Sequence, residues 1–268
     1  MPDVVTGLLT SASGAIVGLV LGLVGGGGSI LAVPLLVYLV GLSPPHVALG
    51  TSALAVSATA FGNLLGHARR GGGTIKWRCA AVFSSAGVLG ALLGADVAKR
   101  IDGQALLILF GLLMVGVGLV MLRRPGEAGN PEVQLTRLTA RVLVPPLLAI
   151  GFAVGSFSGF FGIGGGFLIV PGLMLATGMS LRMASATSLI SVSAFGAATA
   201  SSYAATGLID WTIAALFILG GIGGGVVGVA LSHVLAPRKR EMGIGFAALV
   251  VAVGLYVIAR GIRALSGT

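Results

Sequence analysis

The sequence predicts an all-α polytopic membrane protein with two inverted structural repeats of about 4–5 helical segments each, carrying glycine-broken, re-entrant helices. Three observations lead there. Apolar residues make up 56% of the 268-residue chain, charged residues only 9%, and mean hydropathy is +1.08; a soluble domain carries about a quarter charged residues. Long runs carry no formal charge, namely 4–40, 47–66, 79–95, 104–122, 142–181, 183–209, 211–236 and 242–259. Two stretches read almost alike, and each places a cluster of glycines inside an apolar helix.

The elements follow in chain order. About 20 residues rising 1.5 Å each cross the ~30 Å hydrocarbon core. The first run holds a helix, then Gly25, Gly26, Gly27, Gly28 and Ser29, then Ile30 to Val40 with Pro34 inside it. That last segment would rise only ~17 Å, too short to cross, so a re-entrant turn is expected. Met1-Pro-Asp lacks a basic leader, so the first run is expected to stay as a helix. Runs 47–66, 79–95 and 104–122 supply three further crossings. A polar linker over 123–141 contains Pro125, Gly126, Asn130 and Pro131. Run 142–181 then repeats the first, with Gly162, Gly164, Gly165 and Gly166 at the break and Pro171 after it. Its short segment, Phe167 to Ala176, is again too short to span. Three more crossings end the chain. The expected units are 1–124, the linker 125–139, and 140–268.

The duplication reaches beyond the glycines. Gly18, Gly22, Gly25, Gly27, Gly28, Val33 and Pro34 return as Gly155, Gly159, Gly162, Gly164, Gly165, Val170 and Pro171. Thr51-Ser52 answers Thr187-Ser188, Val56-Ser57 answers Val192-Ser193, and Gly73-Thr-Ile-Lys-Trp77 answers Gly207-Leu-Ile-Asp-Trp211. Gly87, Gly90 and Gly94 return as Gly221, Gly224 and Gly228, while Gly118 and Arg124 return as Gly254 and Arg260. If both short segments turn back, each half crosses an odd number of times and the halves are inverted. With the linker inside, 12 Lys and Arg then lie inside, leaving Lys99, Arg100, Arg260 and Arg263 outside. A simple kink would make the halves parallel and give a 10 to 6 split. Positive-inside bias favours inversion and a cytoplasmic linker over 123–141, in a prokaryotic-type inner membrane.

Composition also excludes classes. The net charge of +9 sits in short connectors, with no basic stripe interleaved with aromatics, so nucleic acid is not a partner. One cysteine, Cys79, precludes an internal disulfide, and neither a metal-spacing motif nor a cofactor motif is present. No Lys-Ser or Lys-Thr follows either glycine cluster, so neither is a phosphate loop.

An unwound turn in lipid exposes backbone that must line a cavity or be packed in protein. A new helix starting there aims free N–H groups and its positive end at one spot, an anion site without a charged side chain. Close helix packing is the competing use of such glycines, and it is the one expected at Gly87, Gly90, Gly94 and at 221–228. Thr51, Ser52, Ser57, Thr187, Ser188, Ser191 and Ser193 lie in apolar helices beside the breaks. They either donate to an oxyanion or bond a preceding carbonyl or a neighbouring helix; Asn63 is a weaker candidate of the same kind. Asp96, Asp102, Asp210 and Arg182 fall at expected helix ends, as do His46, His67 and His233. An anion carrier built from backbone dipoles and hydroxyls therefore fits better than a cation pump.

With those residues in view, GLVGGGGSILAVPLL and GFFGIGGGFLIVPGL, each followed by a Thr-Ser segment, resemble the TauE/SafE sulfite exporter family over almost the whole chain. The resemblance implies a secondary transporter of small sulfur anions, such as sulfite or organosulfonates like sulfoacetate, moved outward. The halves differ at two break positions: Ser29 stands opposite Gly166, and Gly26 opposite Ile163. The expected substrate site lies near the midplane, between 25–29 and 162–166, lined by Thr51, Ser52, Thr187 and Ser188, with Pro34 and Pro171 as structural breaks. Expected partners are the lipid bilayer, a small anion and a coupling ion, proton or sodium; a homo-oligomer is left open. An anion channel would share the fold. An intramembrane enzyme would need Ser29 or Ser156 with His233, and no nucleophile-elbow pattern supports it.

Overall fold

The computed structural model describes residues 3–24, 26–69, 75–123, 136, 139–164, 166–234 and 239–266. Gly25, Gly165 and nearly all of the linker 125–139 lie outside these residues. Eight helices are long and apolar enough to cross a membrane. They are α1 (Val4–Val24), α2 (Pro45–Arg69), α3 (Trp77–Ala98), α4 (Gly103–Arg123), α5 (Ala140–Phe161), α6 (Leu181–Ala204), α7 (Trp211–Val234) and α8 (Lys239–Ser266). Helix is the form that satisfies every backbone group within its own segment, which lipid requires. The chain is thus an all-α polytopic membrane protein.

Two short arms complete the architecture. The first follows α1 as a 3-10 turn (Gly26–Leu31), one α-turn (Ala32–Pro34) and a π-turn (Leu35–Leu39). The second, Gly166–Thr177, is a continuous α-helix that accommodates Pro171. Both are too short to span, as expected. The first arm is the less regular, and it carries Ser29 and three glycines at its start where the second starts on one.

Exchanging the halves pairs α1 with α5, α2 with α6, α3 with α7 and α4 with α8, and the packing maps onto itself. α1 packs on α7 as α5 packs on α3; α2 on α7 as α6 on α3; α2 meets α6, and α4 meets α8. Direction follows from the contact points. Gly14, Gly18 and Gly22 face Phe217, Gly221 and Gly225, so α1 and α7 run parallel. Gly151, Gly155 and Gly159 face Phe83, Gly87 and Ala91, so α3 and α5 do too. Along α2 and α6 the order reverses: Gly50 faces Tyr203, and Gly196 faces Ala53 and Ser57. Gly118 faces Val251 and Gly111 faces Ile258, so α4 and α8 are antiparallel as well.

The two parallel seams use glycine as packing. A methyl on Gly18, Gly155, Gly159, Gly220 or Gly224 would strike the carbonyl oxygen of Gly221, Gly87, Ala91, Ser11 or Ala15. These backbones touch, which small residues at four-residue spacing allow. The packing expected of Gly87, Gly90, Gly94 and 221–228 is what occurs. Gly18, Gly22, Gly155 and Gly159 also belong to the seams, although in sequence they are continuous with the breaks.

α2 and α6 form the centre. Their apolar windows are 72% and 67% buried, against 28–44% for the other six helices. Nine of the fourteen buried serines and threonines described lie on these two and the first arm, and every buried polar residue described is Ser, Thr or Asn. Charged groups are kept to the ends. Asp102 caps α4 by accepting from the Gln104 and Ala105 N–H groups, and Asp210 caps α7 through Thr212 and Ile213. Lys99 Nζ pairs with Asp96 at 2.8 Å and donates to Ser202 Oγ at 2.8 Å, joining the ends of α3 and α6. His46 Nε2, 3.1 Å from the Ile101 carbonyl oxygen, ties the start of α2 to the α3–α4 turn. The side chains of Arg182 and His233 lie outside the described residues.

Candidate functional site

The second break is the better defined. α5 ends at Phe161, and Gly162 takes the left-handed conformation at φ +64° that glycine adopts without strain. Gly164 is left-handed again at φ +61° before the second arm begins at Gly166. The freed carbonyl of Gly162 is satisfied from the other half: Ser52 Oγ on α2 donates to it at 2.7 Å. Leu49, one turn earlier, closes over Gly162, where an added Cβ would lie 2.7 Å from its carbonyl oxygen. A Cβ added at Gly164 would lie 3.2 Å from Val56 of α2 and 3.5 Å from Val192 of α6. Those two valines are repeat mates, so Gly164 lies where the central helices cross.

The first break folds back on the helix it leaves. Gly28 rests on the last turns of α1, where an added Cβ would stand 2.5 Å from the Leu21 nitrogen. Gly27, Gly28 and Ser29 are buried, and the Gly26–Leu31 turn packs against the second arm and α6. The two breaks therefore meet in the middle of the molecule from opposite halves. Ser29, Ile30 and Ile163 have 0% exposure, so this centre is closed to solvent. It holds no charged side chain among the described residues. What it offers an anion is backbone N–H at the start of the arms, while the Ser52 and Ser188 hydroxyls already donate to carbonyls.

Other expected site residues are close by, with partners of their own. Ser52 also stands 2.9 Å from the Leu49 carbonyl oxygen, and Ser188 Oγ donates to the matching carbonyl, Ser185, at 2.8 Å. Thr51 Oγ1 accepts the Asp210 N–H at 3.0 Å, and Thr187 Oγ1 accepts the Lys76 N–H at 3.1 Å. These are matching bonds, each from a central helix to the residue that starts α7 or α3 in the repeat scheme. Ser52 adjoins the second break, while the threonines fasten α2 to α7 and α6 to α3. Ser57 Oγ donates to the Ser193 carbonyl at 2.7 Å, and Ser84 and Ser191 share a bond of 2.9 Å, so central hydroxyls also clamp helix to helix. Asn63 is buried with its Nδ2 unpartnered among the described residues. Leu49, Val56 and Val192 touch the break and were not expected as site residues. For the two valines the signal is the repeated Val-Ser pair, which gives no chemistry of its own. Gly25 and Gly165 fall outside the described residues.

Comparison with known proteins agrees with this architecture. The profile described as Sulfite exporter TauE/SafE matches residues 10–257. A "Probable membrane transporter protein" of Xylella fastidiosa (strain 9a5c) is 49% identical over 253 residues, covering 94% of this chain and 95% of that protein. The "Probable membrane transporter protein YunE" of Bacillus subtilis (strain 168) is 28% identical over 97% of both chains. YdhB from the same organism, of like description, is 25% identical over 82% of this chain and 88% of its own.

Proposed function

The chain belongs to the sulfite exporter TauE/SafE family, and from that premise we propose that it is a secondary carrier exporting small sulfur-containing anions such as sulfite or organosulfonates. The anion binds between 25–29 and 162–166, near the midplane. The observation that carries this is the meeting of two buried helix breaks, one from each half, in a centre that holds hydroxyls and backbone but no charge. A monovalent or divalent oxyanion would meet backbone N–H donors there, without a fixed cation that would hold it too tightly for release.

The halves are inverted about an axis in the membrane plane. In support, each helix that packs on its own repeat mate runs antiparallel to it, as α2 does to α6 and α4 to α8. Parallel halves would have made those pairs parallel. Alternating access then rocks the α1–α7 and α3–α5 seams, each joining a helix of one half to one of the other, around the central crossing. The linker 123–141 faces the cytoplasm of a cell whose inner membrane holds the protein, and a proton or sodium ion supplies the driving force.

The test is flux of labelled sulfite, sulfate and sulfoacetate in proteoliposomes, with and without a pH or sodium gradient. Saturable, gradient-dependent flux of a sulfur anion is expected. Flux of chloride at unsaturable rates would show a channel, and no flux of any anion from folded protein would remove the substrate assignment.

A further inference from the structure

A second cluster of donors lies away from the breaks, at the end of the molecule opposite the linker. α4 starts there at Gly103 and α8, antiparallel to it, ends there at Ser266. The tip of the first arm comes to the same place. Together they line a cavity of about 290 Å³ whose walls include Tyr38, Gln104, Leu107, Arg260 and Arg263. The Arg260 guanidinium stands over the rings of both Tyr38, at 5.6 Å, and Tyr256, at 5.9 Å. The two rings meet edge to face at 5.4 Å. Tyr38 is partly buried, and its hydroxyl has no hydrogen-bond partner among the described residues. Asp102, two residues before Gln104, is occupied in capping α4. Arg260 makes no ion pair among the described residues.

Interfacial tyrosines and a snorkelling arginine are common at bilayer surfaces. A surface belt, however, would appear at both ends of a duplicated protein. The repeat mates of Tyr38 and Tyr256 are Leu175 and Val120, both exposed, so the aromatic frame exists at one end only. A belt residue would also not need an unpartnered, buried hydroxyl. Two arginines, an amide and a phenol on one cavity form a set that recognises an oxyanion.

We propose that Tyr38, Gln104, Arg260 and Arg263 form an oxyanion-binding site, distinct from the central one, at the mouth facing away from the linker. The ligand is a sulfonate or phosphate group, carried either by a free small anion or by an anionic lipid headgroup. The rings orient the Arg260 fork, and Tyr38 places the bound group on the first arm, whose other end is the glycine break. Occupancy would thereby bear on the same segment that closes the centre. The site stands on its own residues and does not depend on which anion crosses.

The test is site-resolved. The purified full chain is treated with phenylglyoxal in nanodiscs, and modification of each arginine is followed by peptide mass spectrometry. Nanodiscs of phosphatidylcholine are compared with and without methanesulfonate or inorganic phosphate, and with nanodiscs containing phosphatidylglycerol. Modification of Arg260 should slow about tenfold when the site is filled, the scale of one charge-assisted contact. Exposed Arg100, at the same end, should not change. Tyr38→Phe, which keeps the ring and removes the hydroxyl, should reduce the protection several-fold. Protection by methanesulfonate or phosphate in phosphatidylcholine identifies a free anion; protection only with phosphatidylglycerol identifies a headgroup. Equal rates at Arg260 under all conditions would overturn the proposal. None of these readouts uses flux, so failure of the carrier assignment would be seen separately.

Discussion

Substituting Gly164 separates what the second break does for folding from what it does for transport. The residue has φ +61°, and a Cβ there would lie 3.2 Å from Val56 Cγ1 and 3.5 Å from Val192 Cγ1. For Gly164→Ala the neighbours need yield only a few tenths of an ångström. The penalty is then mostly the left-handed backbone, ~1–2 kcal/mol. Gly164→Val adds two methyls that must enter the gap between Val56 and Val192, adding ~1–3 kcal/mol of overpacking. The sum stays below a folding stability of ~5–15 kcal/mol, so both proteins should insert and purify. Gly162→Ala is the contrast, because its Cβ would meet the Leu49 backbone at 2.7 Å, where nothing can move aside. Flux in proteoliposomes and thermal stability by size exclusion should therefore part company. Gly164→Ala is expected to slow transport and Gly164→Val to abolish it, both folded, while Gly162→Ala loses folded protein. Full flux through a correctly inserted Gly164→Val would refute the reasoning.

Other outcomes follow from the same contacts. Gly18→Ala or Gly155→Ala forces a methyl into a carbonyl of the facing helix and should prevent folding. Gly116→Ala, which meets nothing within 4 Å, should be neutral or stabilise by ~0.5–1 kcal/mol; expression with thermal stability checks both. Ser52→Ala leaves the Gly162 carbonyl without its donor and should destabilise by ~1–3 kcal/mol, whereas Ser85→Ala, at an exposed hydroxyl, should not; thermal unfolding in detergent compares them. Thr51→Val and Thr187→Val remove the acceptors of the Asp210 and Lys76 N–H groups, so hydrogen exchange should quicken at the start of α7 and of α3 respectively.

Much of the fold was legible because lipid leaves few choices. Uncharged runs long enough to cross had to be helices, and all eight are. The short arms were legible from length, although their bounds shifted to Gly26–Leu39 and Gly166–Thr177 because the helical turn begins within the glycines. Glycine itself was ambiguous. Gly18 and Gly22 look like part of the break in sequence, yet they pack against α7, since one residue type serves both close approach and left-handed turns. The hydroxyls were harder. Ser52 and Thr51 are neighbours, but one donates to the break and the other accepts from α7, a difference of direction around the helix that spacing alone does not assign. The Tyr38–Arg260 cluster was invisible, because those two residues lie more than two hundred positions apart in the chain.

The central claim is that the paired breaks hold the carried anion and are reached alternately from the two sides. The most direct measurement places a single cysteine there, Ser29→Cys in a Cys79→Ser background, and follows its reaction with a small membrane-impermeant methanethiosulfonate applied from each side of the membrane. The account predicts reaction from either side, slowed from both by the transported anion. A cysteine reached from one side only, or reacting at the same rate with the anion present, would contradict it.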